Sequence, residues 1–149
     1  MRRYTLFTLA GWLFCAPLAA QTIVAEGPVV YGHHHLNTTD MAAQKRFYVE
    51  TLGGTLATLG TNNLEVITFP NVFLFFRPMQ QPTGGTIGTT VNHIGFEIEN
   101  LEAFTKKLEA DGIPLTVSYR TIPALNIAIA FIQDPWVTNI ELTEGLRGH

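Results

Sequence analysis

His33 and His93 are the residues best placed to do chemistry in this chain, because each opens a phrase that occurs twice, sixty residues apart. The first reads His33-His34-His35-Leu36-Asn37-Thr38-Thr39-Asp40 and the second His93-Ile94-Gly95-Phe96-Glu97-Ile98-Glu99-Asn100. In both, an Asp or Asn that can cap a helix follows the histidine at the seventh position after it. Near the end, Val137-Thr138-Asn139-Ile140-Glu141-Leu142 sets a carboxylate in an apolar strand. Two imidazoles and one carboxylate, each on its own strand, form a ligand set for a divalent metal.

Strand alternation says which of these side chains share a face. His33, His35 and Asn37 point one way, and His34, Leu36 and Thr38 the other. His93, Gly95 and Glu97 oppose Ile94, Phe96 and Ile98, an apolar set suited to lie under a helix. Glu141 is flanked by Ile140 and Leu142, which turn away from it. A lone buried carboxylate is costly unless it is paired or bound to a cation, so a cation shared with His33 and His93 accounts for it. Slipping the first strand by one pair would exchange His33 for His35, and both remain candidates.

The elements that must position these residues recur in the same order. The first unit has a strand from Pro28 to Asn37 that includes Val29-Val30-Tyr31, a helix from Met41 to Leu52 capped by Asp40 and stopped by Gly53-Gly54, and strands near 55–59, 64–69 and 72–76. A connector with Pro82, Gly84, Gly85 and Gly88 follows. The second unit has a strand at 91–98, a helix carrying Leu101, Phe104 and Leu108 on one face, and strands near 115–120, 127–133 and 137–143. The chain therefore reads βαβββ twice, about 28–80 and 91–144. The fold class is α+β: two βαβββ units pairing into one open, cupped eight-stranded mixed sheet with two helices.

Residues 1–20 read as a secretory signal, with basic Arg2-Arg3, an apolar stretch from Tyr4 to Phe14, and small residues up to Ala20. The apolar stretch is short of the roughly 20 residues a membrane span needs. Cleavage near Ala20 would leave one domain, residues 21–149, periplasmic or secreted and free of the membrane. It removes two arginines and the only cysteine, Cys15, and shifts the formal charge from −3 to −5. That charge gives no footing for nucleic acid, and no disulfide or thiol chemistry is left.

These residues resemble the vicinal oxygen chelate superfamily, which includes glyoxalase I, extradiol dioxygenases and the bleomycin and fosfomycin resistance proteins. The resemblance rests on His33 before Asp40, Phe47-Tyr48, Leu52-Gly53, Asn92-His93-Ile94-Gly95-Phe96, Asp134-Pro135 and Ile140-Glu141-Leu142. It implies that His33, His93 and Glu141 hold one divalent ion, Fe2+ first and Mn2+ or Zn2+ next. The fourth strand of the first unit, Val72-Phe73-Leu74-Phe75-Phe76, lacks the ligand that glyoxalase I carries there. Two His and one Glu instead resemble the facial triad of extradiol dioxygenases.

The resemblance further implies chelation of two vicinal oxygens of a small molecule, with lyase-like or dioxygenase-like chemistry. His35, Glu97 and Tyr119 are the candidates for proton transfer or hydrogen bonding, and Phe73, Phe75 and Trp136 for apolar walls. A metal-free protein that sequesters a small apolar molecule, as bleomycin resistance proteins do, is the competing expectation. Units exchange between chains in this superfamily, so a homodimer is a further expectation.

Overall fold

The computed structural model describes residues 28–79 and 81–148. The signal segment expected at 1–20 lies outside them. Eight strands and two helices follow in the expected order: β1 (His33–Thr38), α1 (Met41–Arg46), β2 (Thr55–Leu59), β3 (Leu64–Phe69), β4 (Val72–Pro78), β5 (Ile94–Glu97), α2 (Leu101–Ala110), β6 (Val117–Ile122), β7 (Ile127–Gln133) and β8 (Asn139–Glu144).

Asp40 starts α1 as its cap: its carboxylate accepts the amides of Ala42 at 2.9 Å and Ala43 at 3.0 Å. The stretch expected as one helix to Leu52 widens at Phe47–Thr51 into a π turn. There Phe47 and Tyr48, adjacent in sequence, are both buried. Gly53 closes the turn at a φ of 76°. At Gly54 a Cβ would stand 2.5 Å from Ile67 Cγ2, so only glycine lets the chain pass β3 this closely.

Each unit forms its own mixed sheet, in the orders β1-β4-β3-β2 and β5-β8-β7-β6. The first strand of each runs parallel to the last, with His35 opposite Phe75 and Gly95 opposite Glu141. The helix-bearing sides of both sheets share one core that includes Tyr48, Ile67, Leu74, Leu108, Ile140 and Leu142. The eight strands thus stand as two separately hydrogen-bonded sheets of four around that core. Among the described residues, no helix is long and apolar enough to cross a membrane.

Two strand limits differ from the sequence reading, and both affect the site. Val29 and Tyr31 precede β1 and are exposed, so β1 begins at His33 itself. The strand read at 91–98 is only Ile94–Glu97. Its partner β8 begins at Asn139, and Thr138 before it is committed to a turn. Val91 and Asn92 therefore have no ladder opposite them, and His93 sits just ahead of the strand.

That turn ties the two units together. Asp134 Oδ1 accepts the amides of Trp136 and Thr138, at 2.9 and 2.8 Å. Its Oδ2 accepts Gln44 Nε2 at 2.6 Å and the Tyr48 hydroxyl at 3.1 Å, both from the first unit. Within the turn Val137 takes a φ of 65°, uncommon for a β-branched residue. Four donors on one buried carboxylate hold that conformation in place.

Candidate metal centre

On the open side of the second sheet, His93 Nε2 lies 2.9 Å from Glu141 Oε2. The other ring nitrogen, Nδ1, lies 3.0 Å from Asn92 Oδ1. At 2.9 Å the Nε2–Oε2 contact has the length of a hydrogen bond, and the same two atoms are donor types for a divalent ion. A hydrogen bond that fixes the outer nitrogen is also what a metal-ligating histidine needs. Phe131 stands edge-on to the His93 ring at 5.6 Å. Gly95, opposite Glu141, has nothing within 4 Å of where a Cβ would be, so the space above the pair is open.

On the open side of the first sheet, His33 and His35 flank Phe75. Their ring centroids are 5.0 Å apart; Phe75 stacks on His35 at 4.8 Å and meets His33 edge-on at 5.2 Å. His34 points to the helix side, as alternation requires, and its Nε2 lies 2.8 Å from the Tyr31 hydroxyl. Burial, and then the nearby His33, lower the pKa of His34.

The structure therefore brings His93 and Glu141 together and leaves His33 with His35 on the other sheet. Among the described residues, no three or more His, Cys, Asp or Glu side chains are gathered to hold a metal. The donor types fit a divalent ion, and the second unit alone supplies two of the three.

The remaining candidates fall in different places. His35 and Asn37 line a cavity of about 180 Å³ with Thr86, Thr89, Trp136 and Thr138. Glu97 Oε1 accepts the amides of Gly145 and Leu146, at 2.9 and 3.0 Å, which caps the C-terminal turn. Among the described residues, its Oε2 is buried without a hydrogen-bond partner. Tyr119 packs against the shared core and lines a separate cavity of about 440 Å³ with Asn126 and Glu144. Of the aromatic residues, Phe73 and Phe75 are half-buried on the open face, whereas Trp136 is buried and donates its indole N–H to Thr39 Oγ1 at 3.0 Å.

Sequence reasoning missed the partners more than the ligands. Asn92 was legible only as the residue before His93, and Phe131 only as one apolar residue in a strand. Asp134 was read as part of a motif, with no sign of Gln44 or Tyr48 some ninety residues earlier. Burial, followed by the charge and hydrogen bond of Asp134, holds the Tyr48 phenol well above its usual pKa.

Comparison with known proteins agrees with this architecture. No curated protein matches the chain. A glyoxalase/dioxygenase from Nostoc punctiforme is 20% identical, with a TM-score of 0.62 over 85% of this chain and 98% of its own. A putative glyoxalase family protein from Bacillus anthracis is 15% identical, with a TM-score of 0.63 over 82% and 98%. A lactoylglutathione lyase from Agrobacterium tumefaciens is 19% identical, with a TM-score of 0.54 over 79% and 95%. At these identities the likeness is one of fold. The family model of the Glyoxalase/Bleomycin resistance protein/Dioxygenase superfamily matches residues 30–142, and the chain belongs to that superfamily.

Proposed function

We propose that the protein is an exported metal-dependent enzyme acting on a small molecule with two vicinal oxygens, by lyase-like or extradiol-dioxygenase-like chemistry. His93, Glu141 and His33 would hold one divalent ion, Fe2+ first and Mn2+ or Zn2+ next. The observation that carries this reading is the His93–Glu141 contact, in which an imidazole nitrogen and a carboxylate oxygen, both metal-ligand types, meet 2.9 Å apart on an open surface. A bound ion would supply Lewis-acid polarisation of the substrate oxygens.

The protein's own groups have separable tasks. Asn92 orients the His93 ring and keeps its Nε2 lone pair directed at the site. Glu141 supplies the negative charge. Gly95 leaves room beside that carboxylate for a ligand, and Phe131 walls one side. His33 lies on the first-unit face, so we propose that it joins through a second copy of the chain, the first unit of one meeting the second unit of the other.

Metal content of the untagged protein tests the core of this reading. About one equivalent of Fe, Mn or Zn per chain is expected, lost in His93→Ala and in Glu141→Ala; unchanged content in either variant would refute it. Mixing His33→Ala chains with Glu141→Ala chains tests the second copy. Random exchange in a dimer would restore about a quarter of the wild-type metal content, and no restoration would exclude sharing between chains. N-terminal mass spectrometry of protein recovered from the periplasm tests export, with Gln21 the expected first residue.

A metal-free small-molecule binder is the second reading, favoured by the half-buried Phe73 and Phe75 on the open face of the first sheet. Ligand binding that is indifferent to chelators and to Glu141→Ala would support it.

A further inference from the structure

We propose that His33 and His35 together chelate one transition-metal ion, so that β1 supplies two imidazole ligands rather than one. The two residues alternate onto the same open face of β1, and both are exposed. Among the described residues, neither ring makes a hydrogen bond that would occupy its nitrogens, whereas the ring of His34 on the opposite face is taken by Tyr31.

The spacing fits one ion. A metal–nitrogen bond of about 2.0–2.1 Å places an imidazole centroid roughly 3.2 Å from the ion. Two centroids 5.0 Å apart then subtend roughly 100° at the ion, between the octahedral and tetrahedral angles. The rings are also held in advance. Phe75 lies parallel to His35, with an interplanar angle of 9°, and edge-on to His33, so one side chain restrains both. A preorganised chelate loses less side-chain entropy on binding.

This gives Phe75 a reason to stand where its strand lacks a ligand. In register with His35, it cannot coordinate, but it orients the histidine beside it, which can. Chelation by β1 stands on these distances alone. Joining the same ion to His93 and Glu141 rests on the function proposed above.

Cu2+ titration of the untagged protein, followed by electron paramagnetic resonance and calorimetry, tests the pair. His33→Ala and His35→Ala should each remove one nitrogen coupling. Each should weaken Cu2+ binding roughly a hundredfold or more, since losing an outer hydrogen-bond partner of a ligand alone costs about 10–100-fold. His34→Ala should change neither. Because the residues are exposed, circular dichroism should show folded variants, and His35→Gln repeats the test with similar bulk. A His35 variant with wild-type affinity and wild-type nitrogen couplings would overturn the proposal. A His93→Ala/Glu141→Ala protein separates the two ideas. If it keeps full Cu2+ affinity while the β1 variants lose theirs, the shared centre fails and the chelate stands.

Discussion

Asp134 and Glu141 lie seven residues apart at the two ends of one short stretch, and their surroundings are opposite. Asp134, in the turn between β7 and β8, is buried and accepts four hydrogen bonds, two of them from the other unit. Glu141, on the open face of β8, is partly exposed and faces one histidine. A carboxylate whose oxygens are taken by four donors has little left for a ligand and serves the fold. A carboxylate with one partner and open space above it can take a cation. The chain thus separates a structural acid from a candidate chemical one by which side of the sheet each reaches.

Substitution should separate the two acids cleanly. Asp134→Ala strands buried donors from both units and should cost about 3–5 kcal/mol, read from urea unfolding, with the metal affinity of the folded protein unchanged. A loss below about 1 kcal/mol would mean that the junction is not what ties the units. Glu141→Ala should leave stability within about 0.5 kcal/mol and weaken metal binding at least a hundredfold. If it instead unfolds the protein, the open-face acid is structural after all.

The junction should also announce itself in alkali. Tyr48 is held protonated in the fold, so above about pH 10 the unfolded chain loses that proton while the folded one keeps it. Stability should therefore fall as pH rises past that point, by up to about 1.4 kcal/mol per pH unit. Tyr48→Phe should flatten this slope, and an unchanged slope would remove Tyr48 as its source. The smallest effect belongs to His34, whose pKa is lowered in the fold. As pH drops below about 6.5 the unfolded chain takes up a proton first and stability declines slightly. His34→Gln should abolish that decline in thermal melts.

The two open faces show why only part of this was legible. Alternation put His33 with His35, and their rings meet on one face, because alternation is a property of the strand alone. The cap at Asp40 and the stop at Gly53 were equally local. The meeting of His93 with Glu141 agrees with the cation site expected for them, whereas the third expected ligand, His33, lies on the other sheet. The use of Glu97 was not legible, since its Oε1 caps amides almost fifty residues away. Tyr119 lines a separate cavity on a strand whose register shifts between Val117 and Arg120, a feature that cannot be seen in an isolated strand.

By itself the sequence determined the duplicated βαβββ order, the shared face of His33 and His35, and the helix caps at Asp40 and Asn100. Those follow from chain stereochemistry, the capping of orphan amides and the two-residue period of a strand, which act over a few residues. Only the tertiary structure decided that Asp134 would meet Gln44 and Tyr48, that both sheets would share one core, and that His33 would stand with His35 on the other sheet from the His93–Glu141 pair. Those outcomes depend on how two separately formed units dock, through contacts about ninety residues apart that no local pattern encodes.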